Sequence, residues 1–203
     1  HEFRTVLNEV IGSAKYLQTS ADDIEPQEIQ ELSSDIISSA NRLLKITENF
    51  LVYVRIESFA TNPVKRKQLR SYLTEEPSAM IADIASLKAE KYSRAMDLLT
   101  ESNVEQIAVE ISTENFHKLV DELLDNAFRF SEPGTKVKVK IWLDNHQLYV
   151  SILDRGRGMS KEQINSIAAP AQFERTIYEQ QGVGLGLVIA KKIAEIHDGI
   201  FQI

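Results

Sequence analysis

A chain of 203 residues is long enough for one large domain or two small ones, and 43% hydrophobic with 26% charged residues argues against disorder. A net charge of −7 argues against nucleic acid as the principal partner, because phosphate binding calls for a basic face. The absence of cysteine excludes disulfides and thiolate metal sites and is consistent with a reducing compartment.

The first 58 residues or so carry two long helical patterns. Phe3, Leu7, Val10, Ala14 and Leu17 recur at steps of four and three, the seam of a helix packed in a bundle. Thr19-Ser20-Ala21-Asp22-Asp23 announces a turn, and Pro26 stands where a second helix can begin. That helix carries Ile29, Leu32, Ile36, Leu43, Ile46, Phe50 and Tyr53, with a parallel row of Ile37, Ala40, Leu44, Leu51 and Val54. Two helices cannot cover so wide a stripe; a four-helix bundle formed by dimerisation can. A linker is expected over Ser58 to Pro63. The basic run Lys65, Arg66, Lys67 and Arg70 reads as solvated surface.

The rest alternates helix and strand, giving an α+β chain overall. Thr74 is expected to cap a helix with Pro77 in its first turn, reaching about Tyr92. Gln106 to Ile111 alternates as a strand, and Thr113 opens a helix through Phe130. Val137 to Leu143 and Gln147 to Leu153 flank Asp144-Asn145-His146 as a hairpin. Ser160 to Ile167 reads as a short helix, and an irregular stretch runs to Gln181. A last helix spans Leu185 to His197, and Ile200 to Ile203 is expected to start a strand that the chain end cuts short.

The four histidines (His1, His117, His146 and His197) lack the spacing of a metal cluster. His1 lies roughly 160° around the helix from the apolar seam at about 100° per residue, so it is expected to face water. A carboxylate at Glu2 can take the proton from one ring nitrogen and raise the nucleophilicity of the other. Thr5, one turn along, shares that face. His1-Glu2-Phe3-Arg4-Thr5 resembles the phosphoacceptor box of sensor histidine kinases of two-component signalling. That family usually has proline after the threonine, where this chain has Val6.

Within the helix from Thr113 to Phe130, periodicity places Phe116, Val120, Leu123 and Ala127 inward and Glu122, Asn126 and Arg129 on the polar side. Glu122-Leu123-Leu124-Asp125-Asn126-Ala127, followed by Arg129-Phe130-Ser131, resembles the asparagine box of Bergerat-type ATPases. The resemblance implies that Asn126 coordinates Mg²⁺, Arg129 contacts phosphate and Phe130 lies near adenine. At Glu122 many histidine kinases have asparagine, whereas gyrase-like ATPases use a glutamate as general base for water; its role stays open. Asp154-Arg155-Gly156-Arg157-Gly158 resembles the first glycine box, implying a hydrogen bond from the adenine amino group to Asp154 above the turn of Gly156 and Gly158. Gly182-Val183-Gly184-Leu185-Gly186-Leu187 follows no parallel strand and so is no dinucleotide fingerprint. Its glycines open a helix whose N–H groups can meet phosphate, as in the family's second glycine box. Ser166 to Gln181 would form the lid over ATP, with Phe173 and Arg175 in place of its phenylalanine box.

The resemblance covers nearly the whole chain. It implies a dimerisation and phosphoacceptor domain over 1–60 and a catalytic ATP-binding α/β sandwich of the Bergerat type over 61–203, its last strand truncated. ATP and Mg²⁺, a homodimer and a response-regulator receiver domain are the implied cofactors and partners. A chain opening on a functional histidine is expected to be a fragment of a cytoplasmic catalytic core, reaching a membrane only through segments outside it. A gyrase- or chaperone-like ATPase using Glu122, or a non-catalytic dimerising scaffold, are the alternatives.

Overall fold

The computed structural model describes residues 2–20, 24–168 and 185–203. The chain divides into two compact units between Val54 and Arg55, the second taking up the chain again at Gly186. Among the described residues no helix is long and apolar enough to cross a membrane.

The first unit holds helix α1 (Glu2–Thr19) and most of α2 (Pro26–Ala60). Ser39 donates to Glu9 at 3.3 Å and Tyr16 hydrogen-bonds Glu28, so residues ascend on one helix as they descend on the other. The pair is an antiparallel hairpin. Its covered row on α1 is Val6, Val10, Ser13 and Leu17. The expected seam is therefore corrected: Phe3, Leu7 and Ala14 are exposed, and Val6 is fully buried. On α2 the covered row is Leu32, Ile36, Ser39, Leu43, Ile46 and Asn49, whereas Ile37, Leu44, Leu51 and Val54 stay exposed. The second apolar row is thus real and uncovered within one chain.

The second unit begins with the end of α2, which runs through Ala60 into the linker expected over Ser58 to Pro63, and with α3 (Pro63–Leu69). Asn62 caps α3, its side-chain oxygen accepting from Val64 and Lys65 N–H groups at 3.1 and 3.2 Å. Pro63 at the first helical position loses only an N–H that had no partner. The neighbouring basic run also departs from expectation. Arg66 donates to the Glu195 carbonyl at 3.0 Å and to the Ile196 carbonyl at 3.3 Å, and both Arg66 and Arg70 pair with Asp198.

Strands β1 (Thr74–Glu75) and β3 (Ala108–Val109) pair antiparallel. Thr74 therefore caps nothing: its hydroxyl donates to the Ile111 carbonyl at 2.7 Å. Helix α4 (Pro77–Lys91) starts instead from Glu76, which takes a left-handed conformation with φ 50°. The main sheet has three strands, β2 (Leu98–Ser102), β4 (Val137–Asp144) and β5 (Gln147–Leu153), in the order β2-β4-β5. β2 runs parallel to β4, and β5 returns antiparallel. Asn145 and His146 both have positive φ, at 47° and 62°, as a two-residue turn that follows strand twist requires.

Helices α4 and α5 (Thr113–Phe130) pack together over this sheet, with Ala89, Ala127, Phe128 and Val137 at the centre of the core. Helix α6 (Lys161–Ala168) precedes α7 (Leu185–Ile196). Asn115 meets His197 and Glu122 meets Gly186, so α7 lies antiparallel beside α5. Gly199 to Ile203 adopt no strand, contrary to expectation.

Candidate functional site

The α5 helix carries the site, and its placement begins at its ends. The Ser112 side chain accepts the Asn115 N–H at 3.3 Å, capping the start. The far end is closed by Arg94, a buried side chain that sequence reasoning missed. Its guanidinium donates to the carbonyls of Phe128 at 2.9 Å, Ser131 at 3.0 Å, Glu132 at 2.9 Å and Thr135 at 2.9 Å, and pairs with Asp97 at 2.7 Å. One cation thus satisfies the orphan Phe128 carbonyl of the last turn and fixes the loop beyond it. Its carbonyl acceptors lie 34 to 41 residues away, so no local pattern marks them.

Asp125 is buried and anchors α5 to α4, accepting from Lys88 at 3.2 Å and from the Tyr92 hydroxyl at 3.1 Å. Burial first, and the Asp125 charge second, push the Tyr92 phenol up to about 12. With Asp125 turned inward, Asn126 is half-buried beside it. Among the described residues nothing hydrogen-bonds the Asn126 amide, whose oxygen is a hard donor of the kind Mg²⁺ accepts singly while phosphates complete its shell. The residues present therefore fit that ion.

At the end of the helix the chain meets the loop after β5. Ser131 and Gly156 form an antiparallel bridge, and Arg157 N–H reaches the Phe130 carbonyl at 3.4 Å. A Cβ at Gly156 would strike that carbonyl and lie 2.7 Å from Asp154 Oδ1. Only glycine allows so close an approach. Gly156 N–H donates to Asp154 Oδ1 at 2.7 Å, which fixes the carboxylate; among the described residues nothing hydrogen-bonds Oδ2. Gly158 sits at φ 66°, completing the turn. The Arg157 and Arg129 guanidinium groups lie 4.5 and 5.4 Å from the centre of the Phe130 ring.

Glu122 departs from the expected polar face. Its side chain is 5% exposed, and Lys118 Nζ lies 2.6 Å from Oε1. A Cβ at Gly186 would run into the same carboxylate, with Cδ 3.0 Å away. Helix periodicity placed Leu123 inward, whereas Leu124 is fully buried and Leu123 only partly. The face turned toward α7 is thus polar but covered.

The structure brings Asn126, Arg129, Phe130, Asp154 and Gly156 to one end of α5 and its adjoining loop, and Glu122 against Gly186. Leu185 opens α7. Thr5 is exposed on α1, and Glu2 opens that helix. His1, Phe173, Arg175, Gly182 and Gly184 lie outside the described residues.

Two family models match in succession: the His Kinase A (phospho-acceptor) domain over residues 1–59 and the histidine kinase-, DNA gyrase B- and HSP90-like ATPase over residues 112–203. Fold and models together define a phosphoacceptor helical hairpin joined to an α/β ATPase. Residues 1–59 thus match the phospho-acceptor domain and residues 112–203 the ATPase domain of histidine kinases, the make-up of a two-component sensor histidine kinase catalytic core. The chain is 25% identical to the sensor histidine kinase YvrG of Bacillus subtilis over 100% of this chain and 34% of that protein. It is 27% identical to the histidine-protein kinase ArlS of Staphylococcus aureus, over 100% of this chain and 44% of that one. The chain thus spans less than half the length of these relatives. The histidine kinase AdeS of Acinetobacter baumannii shares the fold, with a TM-score of 0.66 at 18% identity over 97% of this chain and 86% of that one.

Proposed function

We propose that this chain is the catalytic core of an ATP-dependent protein histidine kinase that phosphorylates its own His1. The observation that carries the reading is the joint at Gly156. There a carboxylate with one oxygen fixed, and the other without a hydrogen bond among the described residues, sits against the end of the helix that bears Asn126. Asp154 Oδ2 accepts the adenine amino group, and Phe130 lies beside the base. Asn126 would hold Mg²⁺, which neutralises phosphate charge when bound. Arg129 contacts phosphate, and Leu185 and Gly186 at the α7 start, with Gly182 and Gly184 before them in sequence, would offer N–H groups to it.

Residues 1–60 are read as the dimerisation and phosphoacceptor domain and 61–203 as the ATP-binding domain. Ser166 to Gln181, with Phe173 and Arg175, would be the lid over the nucleotide. Glu2 draws the proton from one nitrogen of His1. The other nitrogen attacks the γ-phosphorus in line, the bond to the β-phosphate oxygen breaks, and ADP leaves with that electron pair. The phosphoryl group then passes to an aspartate of a response-regulator receiver domain, and Thr5 positions the water that removes it from the regulator in the reverse, phosphatase direction. The exposed rows of α1 and α2 support a homodimeric four-helix bundle around His1.

The test is incubation with γ-labelled ATP and Mg²⁺. Acid-labile, base-stable label on the protein is the expected result. Free phosphate released with no label retained would point to an ATPase instead.

A further inference from the structure

Glu122 is the residue whose chemistry the sequence leaves open, and three observations bear on it. Its carboxylate is buried between α5 and α7. Oε1 is paired with Lys118, one turn earlier on the same helix, at 2.6 Å. Oε2 fills the space where a side chain at Gly186 would begin. A carboxylate held by an ammonium group on one oxygen and packed against a helix backbone on the other is poorly placed to take a proton from water. It is well placed to seat the second residue of α7, where a negative charge also favours the positive end of the helix dipole.

We infer that Glu122 is a positioning residue. The Lys118–Glu122 pair sets where α7 begins, and a side chain at 186 would have to displace the Glu122 carboxylate, whose Oε2 occupies its Cβ position. The inference rests on the proposed nucleotide site, since its consequence is the placement of the phosphate-facing turn. It adds a specific coupling: two residues 64 positions apart in sequence act as one unit, and a base for water is not among the roles of Glu122.

A double-mutant cycle on nucleotide affinity tests this. The full chain is titrated with a fluorescent ATP analogue and Mg²⁺, with thermal unfolding recorded for each variant. Gly186→Ala is expected to weaken binding at least tenfold. Adding Glu122→Ala, which removes the colliding carboxylate, is expected to recover at least fivefold of that loss. Gly186→Ala with Glu122→Asp, which withdraws the carboxylate by one methylene, is expected to recover part of it and covers the case in which the first pair does not fold. Additive losses in the variants that fold would overturn the inference. So would a Glu122→Ala single variant that binds nucleotide like the parent chain yet no longer releases free phosphate from ATP, the mark of a base for water. A parent chain that binds no nucleotide would instead refute the proposed function.

Discussion

Gly156 carries more of the site than its size suggests, because it lets the loop after β5 close on the end of α5. Any side chain there must push away the Phe130 carbonyl, taking Asp154 with it. Gly156→Ala is therefore expected to weaken ATP at least about tenfold, roughly 1.4 kcal/mol, in a calorimetric titration. Unchanged affinity would remove the joint from the account. The glycine and the aspartate were legible as a motif. Legibility ended at Arg94, whose carbonyl acceptors lie beyond the reach of any local pattern.

Two titrating residues near these elements set the acid limb of stability. The Arg94 guanidinium, and then the Gly134 N–H, hold the Asp97 carboxyl below its ordinary 3.8. Burial lowers the His197 ring below its ordinary 6.5. The Asn115 amide nitrogen donates to Nε2 at 3.2 Å, so Nδ1 carries the proton and donates to the Glu110 carbonyl at 3.1 Å. Both folded values are depressed, so the unfolded chain binds protons first and stability falls as pH falls. The loss attributed to His197 begins below about 6.5 and that attributed to Asp97 below about 3.8. Melting temperatures taken from pH 8 to 3 are expected to show two successive declines, and His197→Gln should flatten the first. A decline that persists in that variant would place the proton elsewhere.

At the scale of elements, α3 shows why a charge pattern read locally misleads. Lys65 to Arg70 looks like solvated surface because its acceptors stand some 130 residues downstream. In the fold Arg66 and Arg70 close the C-terminus of α7, taking the Glu195 and Ile196 carbonyls and the Asp198 carboxylate. Replacing both by alanine should cost about 1 to 2 kcal/mol in urea unfolding, the sum of two partly exposed charge-to-helix-end interactions. A loss within error would return the run to the role of surface. The elements read well from sequence were those fixed by local chemistry. Ser112 caps α5, and the turn at Asn145 and His146 sets the hairpin register. β2 was missed because Leu98-Leu99-Thr100-Glu101-Ser102 does not alternate; its place comes from parallel pairing with β4. Thr74 was misread because a threonine before a proline suits a helix start and a short strand equally well.

For the whole molecule, the width of the apolar stripe on α2 is the decisive quantity. One chain covers one row, and Leu44 and Leu51 remain 56% and 63% exposed on the other. The sequence already pointed to a second copy through that row, although it assigned the covered side of α1 to Phe3 and Leu7 and passed over Val6. With Val6 buried, α1 continues as a helix through the position where proline is usual in the family. Leu44→Glu with Leu51→Glu is expected to convert a dimer into a monomer in sedimentation at micromolar concentration while the ATP-binding unit keeps its nucleotide affinity. A dimer that survives both changes would mean that another surface joins the copies.

Transfer of phosphate to one imidazole is tested by mapping the phosphoryl group by mass spectrometry after incubation with ATP and Mg²⁺. The expected result is a single phosphorylated peptide that begins at His1, absent from His1→Gln although that variant binds ATP as tightly as the parent. Phosphate on another residue, or an unmodified His1 peptide in a chain with nucleotide bound, would contradict the account.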